Sequence, residues 1–205
     1  MSENAVEELK FLLDRGYRRE YALQFVGDHH MLGKRERNRL LREVYSDDEI
    51  EHTTQKLQPI NAIRDKAVAV DGFNVLITVE TGLAGGEVYT CQDGLLRDNA
   101  MAFGNYKITD GTENAVNAAV KALAEHQPKH VTWVFDSQIS GSGKLAEYVR
   151  RKMVEAGLKE DCTTCPAADG RILKMNTLTA TSDTALIRRL DSIFDLAAAA
   201  LDVND

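Results

Sequence analysis

Long apolar runs, a cysteine framework and an excess of positive charge are all missing from this 205-residue sequence. No stretch approaches the roughly 18 consecutive apolar residues that a membrane span needs, so no membrane partner is expected. The opening residues MSENAVEELK lack the basic, then apolar, then small-residue order of a secretory signal, and a cytoplasmic protein is expected. Three cysteines, Cys91, Cys162 and Cys165, are too sparse and of the wrong parity for a secreted disulfide scaffold; they are expected to stay reduced. There is no internal repeat and no low-complexity segment. What is present, 43% hydrophobic and 28% charged residues, suffices for one medium domain with a small appendage.

A net charge of -7 by itself argues against a nucleic-acid partner, because phosphate binding draws on clustered Lys and Arg. The charge is unevenly spread. Between Arg15 and Arg42 eight basic residues stand against three acidic ones, which leaves -12 for the rest of the chain.

The apolar spacing divides the chain in two, at 1–58 and 59–205. Residues 4–58 read as three short helices, with Val6, Leu9, Leu12 and Leu13, then Tyr21, Ala22, Phe25 and Val26, then Leu40, Leu41 and Val44 at helical spacing. The segment from Lys34 to Tyr45 presents basic residues along one face, among them Arg35 and Arg37, as a phosphate-contacting surface or a solvated one. Ser46 to Glu51 reads as the cap and first turn of a further helix or as a linker, and Pro59 closes the segment.

From Lys66 onward, short apolar runs alternate with helical stretches. Strands are predicted at Ala67–Val70, Val131–Phe135, Cys162–Ala168 and Thr177–Ala180, and helices near Thr112–His126, Lys144–Ala156 and Thr184–Leu190. Phe194–Ala200 could hold a strand or a helix. This alternation predicts an α/β fold with a mainly parallel sheet covered on both faces. Thr81–Asp110, with five glycines and no clear periodicity, reads as an insertion that could hold a hairpin around Val88–Thr90.

Three predicted strands finish in an aspartate: Asp71, Asp136 and Asp183; Asp169 follows a fourth. Ligands of open parallel sheets bind at the C-terminal strand edge, so these side chains converge if their strands are neighbours. Clustered carboxylates repel unless a cation neutralises them, and hard oxygen ligands select Mg²⁺ or Mn²⁺. Each aspartate alone is read more simply as a helix cap or turn residue; the coincidence of four favours a metal site. In Asp71-Gly72-Phe73-Asn74, Gly72 permits a tight turn and Asn74 adds a polar side chain beside the first carboxylate.

Asp71-Gly-Phe-Asn74-Val-Leu-Ile-Thr, Ser182-Asp183 after a strand, and Asp136 followed by Ser140-Gly-Ser-Gly143 resemble the PIN-like, NYN-like domain (DUF5616 type) of largely archaeal proteins. In those proteins it follows a small DUF434 domain, to which Leu13-Asp-Arg15-Gly16-Tyr17, Ala22-Leu23-Gln-Phe-Val26-Gly27-Asp and Lys34-Arg35-Glu36-Arg37 are similar. The resemblance implies a PIN-like Rossmannoid sheet behind an all-helical N-terminal domain, and by analogy with the wider superfamily a nuclease. It implies that Asp71, Asp136 and Asp183 form the catalytic acidic triad, with Asn74, Ser182 and Asp169 in support. Asp98, in Asp93-Gly-Leu-Leu-Arg97-Asp98, matches a motif without an assigned role, and Glu80 approaches the crevice if a helix follows the first strand.

Ser140-Gly-Ser142-Gly143-Lys144 could form a backbone nest for a phosphate or a plain loop and cap. It is not a Walker A loop, since Gln138 and Leu145 stand where Gly and Ser or Thr are needed. Cys162-Thr-Thr-Cys165 has the spacing of half a zinc site, but buried inert thiols are the simpler reading, as a surface pair is for His29-His30 and a core position for Trp133. The expected function is a metal-dependent nuclease, more readily of RNA, with Mg²⁺ or Mn²⁺ at Asp71, Asp136, Asp169 and Asp183. The alternatives are a non-catalytic RNA- or nucleotide-binding module and a small-molecule phosphohydrolase; a homo-oligomer is compatible with either.

Overall fold

The computed structural model describes residues 3–99 and 106–203. The chain opens with four helices: α1 (Glu3–Asp14), α2 (Arg19–His29), α3 (Lys34–Glu43) and α4 (Asp47–Thr54). The apolar stripes of the first three meet in one small cluster, built on Leu9, Leu13, Val26, Leu40 and Val44. The segment from Ser46 is a helix rather than a linker. Its capping box is complete, with Ser46 Oγ accepting from the Glu49 N–H at 3.2 Å and the Ser46 N–H donating to Glu49 Oε2 at 3.1 Å.

After α4 come β1 (Leu57–Gln58), a 3-10 turn (Ile60–Ile63), β2 (Ala67–Asp71) and α5 (Gly72–Leu83). A hairpin follows, β3 (Val88–Thr90) with β4 (Leu96–Asp98), then α6 (Asp110–His126), β5 (His130–Asp136) and α7 (Ser142–Glu155). The chain ends with β6 (Glu160–Cys165), α8 (Ala168–Met175), β7 (Leu178–Ala180), α9 (Thr184–Ile187), β8 (Ile193–Phe194) and α10 (Leu196–Ala200). Six strands form one parallel sheet in the order β1-β8-β7-β2-β5-β6, while β3 and β4 pair antiparallel on their own. The last two residues before Pro59 thus enter the sheet as its edge strand, Leu57 opposite Ile193.

Burial on both faces explains why the central strands read as continuous apolar runs. Along β5, Val131, Trp133 and Phe135 enter the main core with α5, α6 and α7, whereas Val134 points to the opposite face with Ile172 of α8 and Leu186 of α9.

Three expectations are corrected. The stretch from Thr81 begins inside α5, whose residues Gly72 to Val79 are all buried; the long loop is therefore shorter, and residues 100–105 of it lie outside the described residues. A helix buried all round has no polar face to give it a period, and its Val75, Ile77, Thr78 and Val79 favour strands by propensity. The strand expected to run to Ala168 stops at Cys165, because Ala168 and Asp169 open α8. Gly72 is needed for space rather than for a turn. A Cβ there would sit 2.3 Å from Phe135 Cε1, so only glycine lets the start of α5 lie on that ring. No helix among the described residues is long and apolar enough to cross a membrane.

Candidate functional site

The chain leaves β2 toward β5 and β6, then returns to lay β7 and β8 on the other side of β2. Neighbouring strands whose connections depart in opposite directions leave a crevice beyond their C-terminal ends. Here that crevice lies beyond β2 and β7, where Asp71 ends one strand and Thr181-Ser182-Asp183 follow the other.

A short hydrogen-bond relay fixes the two segments. Thr181 Oγ1 donates to Asp71 Oδ2 at 2.9 Å, and the Asp183 N–H donates to Thr181 Oγ1 at 3.1 Å. Asn74, in the first turn of α5, accepts on its Oδ1 from the Ser182 N–H at 2.7 Å and from Ser182 Oγ at 3.1 Å. Asp183 caps α9, its Oδ1 accepting from the Ala185 and Leu186 N–H groups at 2.7 and 3.0 Å. Asp136 Oδ1 likewise accepts from the Gln138 N–H at 2.8 Å. Capping and ligation are compatible in these two residues, because each backbone bond takes only one carboxylate oxygen.

The electrostatics join the four aspartates. Burial, with the charges of Asp183 and Asp169, pushes Asp71 up to about 7 against the opposing hydrogen bonds of Thr181 and Asn74. Asp169, exposed in the first turn of α8, is raised by partial desolvation, then by Asp183 and Asp136, with Arg189 opposing. Asp71, Asp169 and Asp183 thus share one field, and Asp136 joins it through Asp169.

This is not a closed cage. Among the described residues, the one group of three His, Cys, Asp or Glu whose ligand atoms all lie within 4.8 Å of one another is Glu8, His29 and His30 on the helical segment. The four aspartates therefore do not supply three mutually close oxygens. Their donor set still fits Mg²⁺ or Mn²⁺, which retain several waters and take one or two carboxylates together with substrate oxygens.

Residues 60–199 match the family model described as "Domain of unknown function (DUF5616)", and residues 3–56 match "Protein of unknown function (DUF434)". The chain belongs to the DUF5616 family. A protein of Methanocaldococcus jannaschii, "Uncharacterized protein MJ0935", is 34% identical over 202 residues, which cover 98% of this chain and 96% of that protein. No solved structure matches.

The other predicted site residues of this DUF5616 chain divide into three sets. Asn74 and Ser182 lie at the crevice. Ser140 and Ser142 to Lys144 lead from Asp136 into α7; Gly143 and Lys144 are exposed at its N-terminus, while Ser142 is buried. Arg35 and Arg37 are elsewhere. Arg35 pairs with Glu87 at 3.1 Å, and Arg37 folds over Gly27, donating to Asp28 Oδ1 and to the Leu32 carbonyl, both at 2.8 Å. Most of the basic face of α3 is thus spent on the protein's own acids. Glu80 is nine residues along α5 from Asp71, about 13 Å by helical rise, and its carboxylate receives the Tyr106, Thr109 and Thr112 hydroxyls, so it does not approach the crevice. The thiols are buried or half-buried, and burial pushes Cys162 up to about 12.

The motif Asp93-Gly-Leu-Leu-Arg97-Asp98 acquires a role. Arg97 and Asp93 form a buried two-pronged ion pair at 2.6 and 2.7 Å, and Arg97 Nε donates to the Ser182 carbonyl at 3.0 Å. Asp98 accepts from Thr78 Oγ1 at 2.9 Å and faces Arg42 at 3.4 Å. The hairpin therefore braces the Ser182-Asp183 loop from one side and α3 from the other. Sequence reasoning missed Thr181, Arg97 and Arg42; the position of Thr181 between a strand end and an aspartate is the one signal that could have found it.

Proposed function

We propose that this chain is a divalent-metal-dependent nuclease whose substrate is RNA. The observation that carries the reading is the joint placement of Asp71, Asp169 and Asp183 at the switch point of the sheet, where burial first and the charges of Asp183 and Asp169 second push Asp71 up to about 7. A buried carboxyl beside like charges marks a candidate cation site. The resemblance to PIN-like nucleases supports the same reading. Asp71 and Asp183 would hold the ion, with Asp169 and Asp136 at its periphery. A bound divalent ion supplies Lewis-acid polarisation of a phosphoryl oxygen and lowers the pKa of a coordinated water. The chain's own residues supply the order: Thr181 fixes Asp71 Oδ2, Asn74 fixes the Ser182-Asp183 turn, and Arg97 holds that turn from behind.

One observation favours a second reading, a nucleotide- or RNA-binding module without turnover: the aspartates do not present three mutually close oxygens, so the metal is not pre-caged. Cleavage of single-stranded and structured RNA by the wild type and Asp71→Asn, with Mn²⁺, Mg²⁺ or EDTA, decides between the two. Cutting that requires metal and Asp71 supports the nuclease. Binding that persists in EDTA, with no product under any condition, leaves the binding module.

A further inference from the structure

The four helices do more than precede the sheet. Between them and the aspartate loop lies a cleft of about 350 Å³, walled by Arg42 and Tyr45 on one side and by Asn74, Ser182, Asp183 and Arg188 on the other. That is at the small end of ligand pockets, the size of a single nucleotide rather than of a folded strand.

Its arginines are not equivalent. Two others in the wall, Arg19 and Arg97, are consumed: Arg19 donates to the Val44 carbonyl and to Glu49, both at 2.6 Å, and Arg97 to Asp93 and the Ser182 carbonyl. The remaining two keep donors. Arg42 makes one long contact, 3.4 Å to Asp98, and its buried Nε has no partner among the described residues. Arg188 makes one contact, 2.7 Å to Glu49, while its side chain remains 60% exposed. Asn74 spends its Oδ1 on Ser182, and its Nδ2 has no partner among the described residues. Arg42, Asn74 and Arg188 line one cleft from α3, α5 and the end of α9, and guanidinium forks match the oxygens of a phosphate. Asp183 repels an anion from the sheet end of the cleft, which leaves the arginine end for it.

We propose that this cleft is a nucleotide-phosphate subsite, in which Arg42, Arg188 and Asn74 hold the phosphate next to the one presented to the aspartates. The proposal rests on the nuclease reading for its orientation but not for its existence. It also explains why the helical segment accompanies the sheet, since Arg42 and Tyr45 complete a wall that the sheet cannot build by itself.

The subsite is tested by calorimetric titration of the full chain in EDTA with adenosine 5′-monophosphate, adenosine and inorganic phosphate. The monophosphate should bind, adenosine should not, and phosphate should compete. Arg188→Glu and Arg42→Gln should each weaken monophosphate binding about tenfold or more, the effect of losing a charge-assisted hydrogen bond. Arg188 is exposed and its partner Glu49 keeps Arg19, so Arg188→Glu remains informative if Arg42→Gln misfolds. Equal binding of adenosine and its monophosphate, no binding by the wild type, or wild-type affinity in Arg188→Glu overturns the subsite. Because EDTA removes the metal, the two proposals fail separately. Arginine-dependent binding without RNA cleavage sinks the nuclease alone; Asp71-dependent cleavage that Arg188→Glu leaves unchanged in KM sinks the subsite alone.

Discussion

Thr181 Oγ1 donates a hydrogen bond to Asp71 Oδ2 at 2.9 Å while accepting one from the backbone N–H of Asp183 at 3.1 Å, so one side chain sets the spacing of two carboxylates. The hydrogen bond favours the charged form of Asp71. Thr181→Val keeps the shape and removes the bond. Its expected effect is to move Asp71 above about 7 and displace the pH profile of Mn²⁺ binding to higher pH. A profile that overlays the wild type would show that the hydroxyl does not control Asp71.

Asp71 should also mark the pH dependence of stability. Its folded pKa is raised, so the folded chain keeps a proton that the unfolded chain has already released between pH 4 and 7. The benefit is full below the unfolded pKa and is lost as pH rises through the folded value. Between pH 5 and pH 8, wild type without metal should lose on the order of 3 kcal/mol relative to Asp71→Asn. Urea unfolding of both proteins at the two pH values measures this, and parallel pH trends would refute it.

Metal should reverse that penalty. At a Mn²⁺ concentration about one hundred times its dissociation constant, the melting temperature of the wild type should rise by about 5–10 °C. Asp71→Asn should show no rise. His29→Ala is the control: it removes a member of the Glu8-His29-His30 group, and should respond as the wild type does if Mn²⁺ chooses the aspartates. A rise lost in the histidine variant and kept in Asp71→Asn would put the ion on the helices.

The Arg97–Asp93 pair lends itself to a separate test. Asp93→Ala leaves the Arg97 guanidinium buried without its carboxylate, which should cost about 3–5 kcal/mol. Arg97→Lys keeps the charge but loses the fork and the bond to the Ser182 carbonyl. It should weaken Mn²⁺ binding even at temperatures where the protein stays folded. Unchanged metal affinity in Arg97→Lys would remove the hairpin from the site.

Gly72→Ala should destabilise the fold by about 1–3 kcal/mol through contact with Phe135, and Phe135→Leu should relieve part of that cost in the double variant. Additive losses in denaturant midpoints would argue against the clash.

Much of this architecture was legible in the sequence because burial writes itself into residue type. Val68 to Val70 and Val131 to Phe135 are buried from both sides, so they appear as short apolar runs, and the aspartates appear where those runs stop. The same logic hid α5, which is buried without a polar face, and α8, whose start looks like the end of a strand. The arginines were the harder case. Arg35, Arg37 and Arg42 are equivalent in composition, and only the packing of α3 against α2 on one side and the hairpin segment on the other sends Arg37 to Asp28, Arg35 to Glu87 and Arg42 to the cleft.

The pairing of β1 with β8 has one more consequence. A chain beginning at Pro59 would keep every aspartate of the crevice and lose Leu57 and Gln58, baring the parallel edge of Ile193 and Phe194. Uncovered strand edges recruit other chains. The two residues that close the helical segment therefore cover that edge, and light scattering of the shortened chain beside the full one should register the loss of that cover as aggregation.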